Sequence, residues 1–317
     1  MKPLSRAALL TMVACAQASA AQPPAPDELS PDKAGTVATG STSMEFKLRD
    51  NLVTFDVTVN GERETAVLDS GAGAIVVDSE AAARLKLHAT DPVGEVAGAG
   101  TQAQQLRPVE LARMTVGSLS FGKVSGYAVN LRQLSSSAGF PIDVLLGAPV
   151  FQNRVVTVDY KRERLTFAVS NGGPACASPL AIQFVHGIPV VNAELRPTPD
   201  AKPIRLRLLV DLGTRHHAVI LGGAFARSAA GAALARAGIP QQVGHGTGGP
   251  VQGSVVSAAE LRIGDLMIEA PKIALTAGVG AFDAAGVDGS LGAPFWKRGS
   301  VMFDYRAKQL CITDPHG

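Results

Sequence analysis

Two aspartates stand out as residues that could do chemistry. Asp69 lies in VLDSGAGAIVVD and Asp211 in LLVDLGTRHHAVIL, each a lone carboxylate closing an apolar, strand-like run with a glycine two positions later. A buried carboxylate without a partner is costly, so such a residue is paired, hydrogen-bonded or held for proton transfer. Two carboxyls brought within about 3 Å cannot both ionise readily, and they share a proton that makes the pair an acid and a base at once. A water between them can lose a proton to one member while the other donates to a substrate carbonyl. That is direct attack on a peptide bond without a covalent intermediate. Such coupled titrations belong to the pair, so neither microscopic role is assigned from sequence.

Residues 142 positions apart meet at one point only if the chain repeats itself about a local axis, and the sequence carries such a repeat. The first half contains AVLDSGAGAIVVD, IDVLLGAPVF and VVTVDYKRERLTF. The second contains LLVDLGTRHHAVIL, VDGSLGAPFW and SVMFDYRAKQLCI in the same order. Asp69 to Gly147 spans 78 positions and Asp211 to Gly292 spans 81, and from each glycine to the later aspartate, Asp159 or Asp304, the interval is 12 in both halves. Between the blocks each half has a glycine-rich piece, GEVAGAGTQAQ around Gly100 and VGHGTGGPVQG around Gly246, which reads as a β-hairpin tip. Each half also predicts one short Ala-rich helix, the first capped by Asp78 or Ser79 and the second running from Ala224 to Ala237 before Gly238.

The hydrophobic residues before DSGA, the later hydrophobic-hydrophobic-Gly in LLGAP and the closing VDY strand resemble the pepsin and retropepsin clan of aspartic proteases. The nearer likeness is to exported bacterial aspartyl-protease-like proteins. The resemblance covers nearly all of the chain after its leader. It implies a mostly β, bilobal acid-protease-like fold: two homologous β-barrel-like lobes with short helices and a central cleft. It further implies that Asp69 and Asp211 form a catalytic dyad acting on peptide or protein substrates without a cofactor. Gly71 and Gly213 would turn the backbone beside it, and Gly100, Thr101, Gly246 and Thr247 would lie near the cleft, either hairpin able to act as a flap.

In that clan the residue after each catalytic aspartate is Ser or Thr, whose hydroxyl locks the two loops across the axis. Ser70 satisfies this and Leu212 does not. Thr214 is the one remaining hydroxyl beside the second aspartate. A positioning error of about 1 Å can cost roughly a hundredfold in rate, so the departure opens a second reading: a pseudoprotease that binds peptide or envelope polymer in the cleft without cutting it.

The other chemistry-bearing residues read more plainly. Asp143, Asp159, Asp288 and Asp304 recur in both halves at turns or strand ends, where a fold-holding hydrogen bond is the ordinary explanation. His216 and His217 are adjacent and point to opposite faces in a strand, His245 stands alone in a loop, and no metal site is expected. Ser70 lacks a motif histidine and a nucleophile elbow, which argues against a serine hydrolase.

Lys2 and Arg6, an apolar run from Ala7 to Ala14 and the small residues Ala18, Ser19 and Ala20 have the layout of a secretory signal peptide. About eight apolar residues are too few to cross a bilayer, which needs roughly 20, so export is expected, with the periplasm favoured. Lipidation of Cys15 is the minor alternative. The predicted organisation is a signal peptide at 1–20, a Pro- and Ala-rich flexible leader at 21–43, lobes at 44–170 and 179–317, and a linker at 171–178. Cys176 and Cys311 are left as either one disulfide or two buried thiols. With 29 basic against 27 acidic residues there is no electrostatic footprint for nucleic acid. A single chain that supplies both aspartates is expected to act as a monomer.

Overall fold

A computed structural model of the chain describes residues 40–96, 104–169, 176–276, 280–297 and 299–313. The signal peptide, Cys15, the leader up to residue 39, Gly100, Thr101 and most of the linker lie outside the described residues. Strands hold 51% of the described residues and helices 16%, so the chain is mostly β. No helix among the described residues is long and apolar enough to cross a membrane.

Each half folds around one ten-stranded sheet, an arrangement consistent with two lobes. In the first, the strand order is Gly94–Val96, Gln104–Leu111, Val124–Val129, Ile75–Asp78, Val144–Leu146, Glu62–Leu68, Leu52–Val59, Met114–Val116, Leu119–Ser120, with Lys47–Arg49 paired onto Leu52–Val59. In the second it is Ile239–Gly246, Gly249–Ser257, Lys272–Leu275, Val219–Leu221, Gly289–Leu291, Ile204–Val210, Ile188–Arg196, Glu260–Ile263, Leu266–Glu269, with Gln183–Val185 paired onto Ile188–Arg196. The two orders correspond strand for strand. Among the described residues both sheets are open paths rather than closed barrels, because the strands at their ends pair with nothing further in the sheet.

The reasons for these strands are local. Leu52–Val59 alternates buried and exposed positions in its second half, and it turns back into Glu62–Leu68 through Asn60 and Gly61, both at positive φ (50° and 99°). That Asn-Gly pair adopts the left-handed conformations a tight hairpin requires. Asp78 caps the helix Ser79–Arg84 through its carboxylate. The second helix differs from expectation: it is two helices, Gly223–Arg227 and Ala229–Ala237. The Ser228 hydroxyl accepts a 3.1 Å bond from the Gly231 amide, so a new helix is capped there instead of the first one continuing.

A third, six-stranded sheet joins the lobes. Its order is Thr42–Glu45, Arg164–Val169, Arg154–Asp159, Ser300–Asp304, Gln309–Thr313, Pro179–Ala181, and its centre is the antiparallel pair Arg154–Asp159 and Ser300–Asp304, with Thr157 opposite Met302. These are the closing strands of the two halves. Apolar side chains continue across the junction: the Phe151 ring of the first lobe stacks on Tyr305 of the second, with centroids 5.2 Å apart, and meets Phe303 edge-on at 5.1 Å. Full burial of each such ring contributes about 1.5–3 kcal/mol. The junction is a shared core, which fixes how one lobe's loops face the other's. Cys176 and Cys311 form a disulfide, so the bonded alternative is the one realised.

Candidate active site

Asp69 and Asp211 follow directly on the strands Glu62–Leu68 and Ile204–Val210. Each of those strands runs parallel to the short strand carrying its half's second motif, Val144–Leu146 or Gly289–Leu291. The Asp69 amide donates to the Leu146 carbonyl at 3.0 Å and the Asp211 amide to Leu291 at 2.9 Å. The glycine of each second motif lies against its own aspartate loop. A Cβ on Gly147 would come within 2.3 Å of the Ala72 and Ala74 carbonyl oxygens, and one on Gly292 within 2.3 Å of the His217 carbonyl oxygen. Ala148 and Ala293 then donate to the Ala72 and Thr214 carbonyls at 2.8 and 2.7 Å. The spacing found in the sequence is thus the distance from each aspartate to the strand that braces it.

The two aspartate loops face each other, each carboxyl lying against the glycine that follows the other aspartate by two residues, and the Asp211 charge acts on Asp69. Gly71 faces the Asp211 carboxyl, where a Cβ would sit 2.5 Å from its Cγ, and Gly213 faces Asp69 at 2.7 Å. Any side chain at either position would collide with the opposite aspartate. Both aspartates keep partial solvent access, yet protein encloses most of each carboxyl. Desolvation, followed by the Asp211 charge, pushes Asp69 up to about 8. Asp211 is also raised by desolvation, against the opposing effect of its donors.

Those donors are unequal. Asp211 accepts from the Gly213 amide at 2.8 Å, the Thr214 amide at 3.1 Å and the Thr214 hydroxyl at 2.7 Å. Asp69 accepts from the Gly71 amide at 2.9 Å, and Ala72, with no hydroxyl, occupies the position equivalent to Thr214. Hydrogen bonds to a carboxylate favour its charged form. The Thr214 hydroxyl thus gives Asp211 a side-chain donor that Asp69 lacks, and it opposes the rise that burial imposes on Asp211. Thr214 supports the second aspartate itself and does not replace the hydroxyl missing at Leu212.

Across the axis the lock is one-sided. Ser70 Oγ donates to the Val210 carbonyl at 2.7 Å and accepts from the Leu212 amide at 3.1 Å, fully buried. Leu212 has no solvent exposure and packs into the main core.

Residues 55–150 match the family model described as aspartyl protease. The resemblance to the pepsin and retropepsin clan holds over that segment. The chain is also similar to a solved retropepsin-like aspartic protease from Rickettsia conorii, at 18% identity and a TM-score of 0.28, over 42% of this chain and 93% of that one. None of the curated proteins matches.

Beside this aspartyl-protease-like site, the Gly246 region is a hairpin of Ile239–Gly246 and Gly249–Ser257. Its tip reaches the first lobe, since a Cβ on Gly249 would lie 3.1 Å from Gln133 Oε1, and Thr247 Oγ1 is buried there without a hydrogen-bond partner. The strands Gly94–Val96 and Gln104–Leu111, which flank Gly100 and Thr101, pair antiparallel. Asp143 and Asp288 brace equivalent strands, accepting from the Thr65 and Arg207 amides at 2.9 and 2.8 Å, while Asp159 and Asp304 accept from the turn amides of Arg162 and Ala307. His216 is exposed and His217 half-buried. Among the described residues no group of three or more His, Cys, Asp or Glu is arranged to hold a metal.

Sequence reasoning passed over Arg215. It is 3% exposed, ion-paired to Asp50 and bonded to Ser137, residues of the first lobe far away in the chain. The available signal was a cation directly after DLGT, beside an otherwise apolar strand.

Proposed function

We propose that the chain is an exported aspartic endopeptidase whose Asp69–Asp211 dyad activates water against peptide bonds of extended segments bound between the lobes. The observation that carries this reading is the close approach of the two aspartate loops, in which Gly71 lies against the Asp211 carboxyl and Gly213 against that of Asp69; two carboxyls brought together in this way would share one proton. Asp211, held charged by three donors, takes a proton from the water. Asp69 gives its proton to the carbonyl oxygen, and a tetrahedral intermediate forms. Collapse of that intermediate returns a proton to the leaving nitrogen and restores the starting distribution. Both aspartates come from one chain, which supports a monomeric enzyme. The hairpin tip with Gly246 and Thr247 acts as its flap, and the basic and apolar amino terminus supports export to the periplasm.

The test is hydrolysis of an unfolded protein substrate between about pH 3 and 7. Asp69→Asn and Asp211→Asn are each expected to lose at least about a hundredfold, the lower range for removing a general acid or base. Unchanged hydrolysis in either variant overturns the proposal. Leu212 favours a second reading, a peptide-binding pseudoprotease. That reading predicts saturable binding of peptide or of a statine-type inhibitor by a wild-type protein that cleaves at no pH in this range.

A further inference from the structure

We propose that Arg215 is a cross-lobe positioning residue that holds the Asp211 loop against the first lobe, where Leu212 supplies no hydroxyl to do so. The inference rests on the dyad reading above. Arg215 lies four residues after Asp211, and Gly73 lies four residues after Asp69, so the two are equivalent in the repeat. Both meet an equivalent turn of the opposite lobe. Asp50 and Asn51 link Lys47–Arg49 to Leu52–Val59; His186 and Gly187 link Gln183–Val185 to Ile188–Arg196. All four turn residues have positive φ, 47° and 63° in the first lobe and 50° and 78° in the second.

On one side the contact is backbone against backbone. A Cβ on Gly73 would come 2.5 Å from the His186 carbonyl oxygen, so only glycine allows the approach. On the other side the contact is ionic. The Arg215 guanidinium pairs with Asp50, donates from Nη1 to the Ser137 carbonyl at 3.1 Å and from Nη2 to the Ser137 hydroxyl at 2.6 Å, and leaves Nε buried without a partner. Its own carbonyl accepts from Asn51 Nδ2 at 2.8 Å, and Asn51 Oδ1 in turn accepts from Lys297 Nζ at 3.0 Å. A charge taken this far from water adds little net stability compared with an apolar side chain of the same size. What a forked guanidinium with fixed partners supplies is geometry.

The consequence bears on the dyad. Ser70 ties the first aspartate's loop to the backbone on both sides of Asp211, but nothing at position 212 returns the tie. Arg215 anchors the far end of the same loop to the first lobe, so Asp211 is held between two cross-lobe attachments rather than by one. Loosening the second lets the carboxyls drift apart, and a drift of about 1 Å can cost roughly a hundredfold in rate.

The experiment compares wild type, Arg215→Met, Arg215→Lys and Asp50→Asn. Two readouts are used: kcat and KM on a peptide substrate, and the two-step titration of the dyad followed by carboxyl carbon NMR on aspartate-labelled protein. Arg215→Met is expected to lower kcat about tenfold to a hundredfold with KM changed by less than about threefold, and to bring the two titration steps closer together. Arg215→Lys, which keeps charge without the fork, should fall between it and wild type. If Arg215→Met does not fold, Asp50→Asn, which preserves size and the Ser137 bonds, carries the same two readouts. A folded variant with wild-type kcat and unmoved titration steps overturns the proposal. A wild-type protein without hydrolysis would refute the endopeptidase reading instead, while the NMR titration would still decide the role of Arg215.

Discussion

The Ser70 hydroxyl accepts a 3.1 Å hydrogen bond from the Leu212 amide while donating one of 2.7 Å to the Val210 carbonyl, so a single side chain satisfies two backbone groups on either side of Asp211. Ser70→Ala leaves both groups buried and unpaired. The expected cost is about 2–6 kcal/mol, read as a lower urea midpoint, because each of the two orphaned groups loses about 1–3 kcal/mol. Hydrolysis should fall at least about tenfold, and Ser70→Thr, which keeps the hydroxyl, should recover most of both. A Ser70→Ala protein with wild-type midpoint and rate would show that the lobes are aligned by the shared six-stranded sheet alone.

That one-sidedness was half legible in the sequence. The missing hydroxyl at Leu212 is visible as soon as DSGA is set against DLGT, and the pairing of Asp69 with Asp211 follows from repeated spacings, because each aspartate is braced by a strand from its own second motif. Arg215 was not legible, since its partners Asp50 and Ser137 are 165 and 78 residues away and no periodicity links them. The break at Ser228 was missed for a different reason: the Ala-rich run favours helix throughout, and one capping hydroxyl overrides it locally. Barrel closure was carried over from the clan. The open sheets reflect strand pairing at the edges, which composition does not encode.

Thr214 separates the two aspartates chemically. Its hydroxyl donates to Asp211 Oδ2 at 2.7 Å, and Ala72 offers nothing comparable to Asp69. Thr214→Val keeps the shape and removes that donor, which raises the pKa of the carboxylate that must be ionised. The acidic limb of the pH–rate profile is expected to move up by about one pH unit, with little change in the alkaline limb. An acidic limb that stays in place would assign the charge to Asp69.

The Cys176–Cys311 disulfide spans 135 residues and sits where Pro179–Ala181 pairs with Gln309–Thr313 at the edge of the shared sheet. Closing so long a loop restricts the unfolded chain, and removing the link is expected to cost about 2–5 kcal/mol. Cys311→Ser should therefore lower the thermal midpoint and abolish its dependence on added reductant. The rate at 25 °C should change by less than about twofold, because the bond packs with Val155 and Met302 in a small cluster apart from the main core that holds Leu212. A midpoint insensitive to reductant in wild type would mean that the thiols are free in solution.

Burial of the Asp69 carboxyl also ties folding to pH. Asp69 is pushed up to about 8 by desolvation and by the Asp211 charge, against an ordinary value of 3.8 in the unfolded chain. A carboxyl whose folded pKa is raised binds its proton more tightly when folded. Its contribution is fully present below about pH 4 and is lost as pH rises towards 8, with a limiting slope of about 1.4 kcal/mol per pH unit for one proton. Asp69→Asn offers Asp211 a donor that never titrates, so it should remove that slope. In urea titrations at about pH 4, 6 and 8, the stability of the variant relative to wild type is expected to grow at each step. Parallel curves for the two proteins would mean that Asp69 holds no proton that the unfolded chain lacks, and that the two carboxyls are not sharing one.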